Sequence, residues 1–347
     1  MGDPTTVIRG AAVQAAPVFL DREASTEKAC ALIREAGANG ARVIGFPEGF
    51  IPAHPIWFHF HSGTDRLATE LSVALMKNCV EIPGPEVAQL QAAARDANAY
   101  VVMGLCERVP GSFGSAYNTQ LFLGPDGGIL GKHQKLVPTV GERLVHQPGG
   151  PDSFGSFPTE FGNLSGLMCG ENSNPLAVFA LTAEHSRVHV MSWPNHFPKI
   201  SVPMGEIALT MAKSFAQMSK AFVISAASVV DDRIREMITS RPEDEEFLRR
   251  PEIAGGSAIV APDMRVIAGP MSGEEEGILY ADMDFDIGVT LKLRHDLAGH
   301  YNRPDMFRLL VNKNPAPLLE TSAEPDGSAE LAFHHVEVME LEAGGDA

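Results

Sequence analysis

Short apolar runs separated by stretches of helical spacing run through most of this chain, and that alternation constrains the fold more than any other feature. The runs lie at 7–14, 43–46, 100–107, 118–124, 163–168, 188–192, 222–230, 256–261 and 277–283. They are rich in Val, Ile and Phe and are bounded by Gly, Pro, Asn or Asp, which is the pattern of strands. Between them, Ala29, Leu32, Ile33 and Ala36 follow the spacing of one helix face, with Ser25 as the expected cap and Gly37 as the expected stop. Val87, Leu90, Ala94 and Ala97 repeat the pattern behind Pro83-Gly84-Pro85. Ile207, Met211, Phe215 and Met218 make a third stripe, which reads as a core face. Strands alternating with helices predict a layered α/β fold.

At 347 residues and 44% hydrophobic, the chain has ample material for a core. We expect one domain over residues 1–312 and a tail over 313–347, partly flexible or interface-forming, where the composition turns to Pro, Ala and Glu. Two segments read as insertions, 51–69 with its aromatics and histidines and 231–251 with its dense charge. Lys and Arg number 27 against 44 Asp and Glu, a formal charge of −17. That surface disfavours nucleic acid and anionic membrane as partners. Cys30, Cys79, Cys106 and Cys169 are widely spaced and form no paired motif, so reduced thiols are expected. The N-terminus lacks the pattern of a signal peptide, and no apolar run reaches the ~20 residues of a membrane span. Together these predict a cytoplasmic location.

Chemistry concentrates at four places. Leu164–Met168 reads as a buried strand that breaks at Cys169-Gly170, and Pro175 then opens a helix whose expected apolar face is Leu176, Phe179, Ala180 and Ala183. A cysteine at such a strand–turn–helix junction is presented as a hydrolase nucleophile is. Proximity to a helix N-terminus predicts a lowered thiol pKa. The bland alternative, a small buried hydrophobe, suits the other three cysteines better. Glu48, in a Phe-Pro-Glu-Gly run, falls at the end of a strand where open α/β sheets collect ligands. Flanking Phe46 and Phe50 predict a desolvated carboxylate of raised pKa. Lys132 and Lys135 follow a turn and a short apolar run, and Glu142 lies a few residues on. Each of these three is unremarkable alone.

Taken in order, the contexts FPEG, HQKLVPT, GERLVH and LMCGEN resemble the nitrilase superfamily, whose catalytic Glu, Lys and Cys occur in that order. FPEGFIPAHPIWF, NPLAVFAL, SWP and GHYNRPD are similar to further segments of the nitrile-acting branch, and the resemblance spans 7–310. It implies a four-layer αββα sandwich pairing into αββααββα dimers. It implies Cys169 as nucleophile, Glu48 as general base, Lys135 as the stabilising cation and Glu142 as a second glutamate of the site. It further implies a small-molecule nitrile as substrate, with no metal or organic cofactor, and a homo-oligomer of at least two chains. The expected pocket comprises His54, Trp57, Gly170, Glu171, Asn172, Trp193, Pro194 and Asn195. Four places depart from the branch: Gly170 and His146 replace usual tryptophans, Gln147–Asp152 departs from an acidic Gly-rich run, and Ala53-His54-Pro55 replaces Gly-Tyr-Pro. His54, His59 and His61 fit no zinc spacing. Alternatives with the same triad are a cyanide hydratase or dihydratase, an amidase and an N-carbamoyl hydrolase. Outside that class stand a silent scaffold and a redox-sensing thiol protein.

Overall fold

The computed structural model describes residues 7–194 and 202–316; Asn195 and the chain from 317 onward lie outside the described residues. Strands β1 (Val7–Gln14), β2 (Ala41–Gly45), β3 (Tyr100–Arg108), β4 (Ala116–Leu123) and β5 (Ile129–Gln134) build one sheet. The second contains β6 (Ser156–Thr159), β7 (Gly162–Met168), β8 (Ser186–Trp193), β9 (Phe222–Ala227), β10 (Ala258–Val260) and β11 (Val266–Ala268). β12 (Gly277–Asp284) returns to the first sheet, giving the orders β12-β1-β2-β3-β4-β5 and β11-β10-β9-β8-β7-β6. Each sheet centres on three parallel strands, β1-β2-β3 and β7-β8-β9, with antiparallel flanks.

Side-chain alternation along the strands sorts the core into layers. Ala12, Val43, Val102 and Phe122 meet Leu164, Val188, Val190 and Ile224 between the sheets. The neighbours Ala11, Val13, Ile44, Val101 and Met103 point the other way, onto α1 (Arg22–Ala38) and α3 (Pro85–Ala97). Leu167, Met191 and Val223 do the same against α4 (Pro175–Ala183) and α5 (Met204–Ser219). The layers are therefore helix, sheet, sheet, helix, as the resemblance implies.

Local details differ from the sequence reading. α1 starts earlier than expected, because Asp21 is its cap and accepts from Ala24 N at 3.0 Å. Ser25 is instead buried inside the helix and bonds the Val18 carbonyl at 2.9 Å. Gly37 does not stop α1: a Cβ there would lie 2.5 Å from that of Ala97, so glycine permits α1 and α3 to touch. The run at 222–230 ends as a strand at Ala227, and that at 256–261 pairs over Ala258–Val260 alone. In α4 the buried residues are Ala177, Val178, Ala180, Leu181 and Thr182, while Leu176 is exposed. That helix is apolar nearly all round, so periodicity could not choose its face. The first expected insertion holds a single helical turn at Ile56–His59 and leads into α2 (Arg66–Asn78). The second holds α6 (Asp232–Ile238) and α7 (Pro242–Leu248), and α8 (Asp286–Lys292) follows β12. The described chain up to Asn314 belongs to one compact unit. No described helix is long and apolar enough to cross a membrane.

Candidate active site

The ends of both sheets supply the site. After β2, the Pro47-Glu48-Gly49 turn lies directly on β3 at Gly104, where any side chain would strike the Pro47 carbonyl. Glu48 N donates to the Trp193 carbonyl at 3.2 Å, and Ser192 Oγ donates to the Phe46 carbonyl at 2.8 Å. Gln120 Nε2 in turn donates to Ser192 Oγ at 2.8 Å. The turn is thus bolted to the second sheet as well as the first. Lys135 comes one residue after β5 and donates its N–H to the Asn118 carbonyl at 2.8 Å. Glu142 sits in a one-turn helix, Val140–Leu144, and accepts from Thr139 N at 2.8 Å. Cys169 follows β7 with φ of 48°, a left-handed strain that a non-glycine residue adopts rarely and mostly where the fold demands it.

The four side chains are buried, each 3% exposed or less. Lys135 Nζ lies 2.7 Å from Glu48 Oε1 and 2.7 Å from Glu142 Oε2. Asn118 Nδ2 bridges the same carboxylates, at 2.7 Å from Glu48 Oε1 and 2.7 Å from Glu142 Oε1. His54 Nε2 stands 3.3 Å from Glu48 Oε1, and His146 Nδ1 stands 3.3 Å from Glu142 Oε1. Glu48 Oε2 has no hydrogen-bond partner among the described residues. Glu48, His54 and Glu142 are also a group whose donor atoms converge within 4.8 Å. The ammonium of Lys135 already bonds both carboxylates there.

The charges set one another. Burial alone would raise the Glu48 pKa, but Lys135 and the His54 bond overcome it and leave the carboxyl below its ordinary value. This corrects the raised pKa expected from its Phe neighbours, which counted desolvation without a cation. Glu142 is held well below the carboxylate range on the same balance, burial opposed chiefly by Lys135. Burial disfavours the Lys135 ammonium, yet Glu48 and Glu142 outweigh it and raise its pKa. The Cys169 thiol is pushed well up by burial and by Glu48, against the partial help of Lys135. The expected low thiol pKa is therefore overturned. The true helix cap is Asn174, five residues on, and burial, reinforced by Glu48 and Glu142, decides the matter.

The expected pocket residues divide. His54 is in the cluster. Trp57 is a core residue: its ring meets Phe19 edge-on at 6.2 Å and its Nε1 donates to Ser72 Oγ at 3.3 Å. Gly170 is exposed, and a Cβ there would meet nothing within 4 Å. The carboxylate of Glu171 accepts from Leu136 N at 2.7 Å and Met168 N at 2.8 Å, and its Oε2 lies 3.1 Å from His133 Nε2. It ties the Cys169 turn to the Lys135 loop. Asn172 Nδ2 donates to the Cys169 carbonyl at 3.0 Å, and its Oδ1 pairs with His189 Nε2 at 3.0 Å. Burial lowers the His189 pKa to about 3, so that imidazole is neutral. Trp193 and Pro194 are buried, and Asn195 lies outside the described residues. Sequence reasoning missed Asn118 and His189. The signal for Asn118 was present: Asn, Thr and Gln follow one another inside the apolar strand β4, and all three are fully buried.

The site thus sets a buried carboxylate–lysine–carboxylate bridge beside a strained thiol at the ends of the two sheets. The carbon–nitrogen hydrolase family matches residues 9–290, and this chain belongs to that family, whose members are hydrolases acting on carbon–nitrogen bonds. A nitrilase of Bacillus sp. (strain OxB-1) is 37% identical over 306 residues, covering 88% of this chain and 88% of that protein. An aliphatic nitrilase of Rhodococcus rhodochrous is 34% identical over 326 residues, covering 93% and 87%. The structure also resembles the C. elegans NitFhit protein, with a TM-score of 0.68 and 18% identity over 90% of this chain and 69% of that one.

Proposed function

We propose that this protein is a nitrilase, converting an organic nitrile to a carboxylic acid and ammonia within a hydrolase domain over residues 1–312. The observation that carries this reading is the ammonium of Lys135 shared at 2.7 Å between Glu48 and Glu142 in the site that holds Cys169. The nitrilase relatives support the choice of nitrile over other carbon–nitrogen substrates. A nitrile carbon is a weak electrophile, so a sulfur nucleophile suits it. Since the resting thiol is neutral, Glu48 takes its proton as attack begins, and its unpartnered Oε2 is the oxygen free to do so. That proton then passes to the nitrile nitrogen, giving a thioimidate on Cys169. Lys135 offsets the negative charge that develops first on nitrogen and later on oxygen. Glu48 next activates water, ammonia departs from the tetrahedral carbon, and a second water hydrolyses the acyl-thioester. Expulsion of the thiol in place of ammonia yields amide as a by-product.

The test is release of ammonia, acid and amide from hydrogen cyanide and from aliphatic, arylaliphatic and aromatic nitriles, each measured for wild type, Cys169→Ala and Glu48→Gln. Turnover by wild type and none by either folded variant is the expected result. Hydrolysis of amides with no nitrile turnover would replace this reading with an amidase, and a cyanide preference with a cyanide-degrading enzyme. Substantial activity in Cys169→Ala would remove the nucleophile assignment.

A further inference from the structure

His54 is a departure from the family pattern that falls inside the ionised cluster. We propose that His54, its Nε2 3.3 Å from Glu48 Oε1 and 3.8 Å from Glu142 Oε2, holds a proton against Glu48 and so sets the ratio of acid to amide product. The proposal rests on the nitrilase reading. It concerns a step that the triad alone leaves open.

The first argument is charge. Glu48 and Glu142 bring two negative charges into a buried space where Lys135 supplies one positive charge. A net charge in such a place is costly, and a proton on His54 neutralises it. The groups facing His54 all bear on this. Burial lowers its pKa, but the bonds to Glu142 and Glu48 outweigh that and raise it. His146, bonded to the other oxygen of Glu142, is lowered chiefly by burial and stays neutral, which leaves His54 as the proton holder of the two. Lys135 is already fully charged, and Cys169 is neutral in the resting site. His54 Nδ1 is buried and has no hydrogen-bond partner among the described residues.

The second argument is the chemistry of the tetrahedral intermediate. Its carbon bears a hydroxyl, an amino group and the Cys169 sulfur. For acid, the proton on His54 passes to Glu48 and on to the amino nitrogen. The carbon–nitrogen bond then breaks with its electron pair leaving on ammonia. The hydroxyl proton returns through Glu48 to His54 as the carbonyl forms, so protons balance. For amide, the carbon–sulfur bond breaks with its pair on sulfur, and the hydroxyl proton restores the thiol. Only the first route needs an extra proton ahead of bond cleavage. His54 supplies it through Glu48 and acts as a positioning residue.

The experiment measures the amide-to-acid ratio from phenylacetonitrile, with propionitrile as a second substrate, between pH 5 and 9 for wild type, His54→Gln and His54→Tyr. Tyrosine keeps a hydrogen-bond donor beside the carboxylates without titrating near neutrality. In wild type the ratio should rise as pH climbs through the His54 value, which lies above the ordinary histidine pKa of about 6.5. In both variants it should be raised roughly tenfold or more at pH 6 and lose its pH dependence, the scale of a lost general acid. Folded variants with the wild-type ratio and profile would overturn the proposal. So would an NMR titration of wild type that finds His54 neutral at pH 7, and that measurement stands if the variants fail to fold. Wild-type protein that releases no ammonia from any nitrile overturns the nitrilase reading instead, and the titration alone then decides whether His54 holds its proton.

Discussion

The side chain that most affects the cluster without belonging to the triad is Asn118. Its side-chain amide donates to both carboxylates, and its backbone carbonyl accepts from the Lys135 backbone N–H, so one residue orients three others. Hydrogen bonds to charged groups are worth about 1.5–3 kcal/mol each. Asn118→Ala is therefore expected to lower kcat/KM by about a hundredfold on the proposed reaction while the protein stays folded, measured by initial rates beside circular dichroism. Asn118→Asp should be worse, since it places a third carboxylate on one ammonium. The neutral Cys169 thiol carries a second expectation. Iodoacetamide should alkylate it slowly at pH 7 without substrate, and mass spectrometry of the Cys169 peptide reads this directly; rapid alkylation at neutral pH would show a resting thiolate. Glu48, Lys135 and Glu142 stood out only through the order of motifs that resembles the nitrilase superfamily, whereas Cys169 was also marked by its strand–turn–helix junction. Their pKa directions were not legible. Phe46 and Phe50 are adjacent to Glu48 in sequence, but the cation that decides its ionisation is 87 positions away.

Strands were easier to read than the ends of helices. A buried strand such as β3 announces itself by unbroken apolar residues, whereas the start of α1 depends on which of two polar residues turns its oxygen back to the chain. Gly37 shows the same difficulty from another side. In isolation glycine reads as a terminator, and only the opposing Ala97 of α3 reveals that it marks a close helix–helix contact. A side chain there must push two helices apart, and overpacking of that kind costs about 1–3 kcal/mol. Gly37→Val should therefore lower the urea midpoint at unchanged m-value, whereas Gly40→Ala, where a Cβ meets nothing within 4 Å, carries only the penalty of its φ of 82°. α2 escaped notice because the aromatics before it drew attention to the surface. Ile56 and Trp57 are in fact fully buried.

For the molecule as a whole, exposed apolar side chains gather elsewhere. Leu293, Tyr301, Met306, Phe307 and Leu310 are each at least 60% exposed, more than a solitary chain normally leaves in water. We expect the chains to pair, and light scattering should return a mass of at least twice 37.2 kDa; a strict monomer at working concentration would refute this. Acid stability follows from the cluster. Glu142 has a folded pKa far below its unfolded value, so its stabilising contribution is present above about pH 4.3 and is lost as pH falls through the folded value. Glu142→Gln leaves Lys135 paired with Glu48 alone and should cost about 1.5–3 kcal/mol at pH 7, the scale of a lost hydrogen bond between charged groups. That gap from wild type should narrow only below the usual carboxylate range, as urea unfolding at stepped pH would show.

The Glu48 turn is bonded to Trp193 of one sheet and rests on Gly104 of the other. Machinery straddling a seam in this way has no part that can loosen privately. Any warming that lets the two halves slide by an ångström separates acid, amine and thiol together, so catalysis becomes a thermometer for the entire fold. Heat-inactivation and loss of the near-ultraviolet signal should then trace one curve, with no temperature at which a still-ordered protein is already silent.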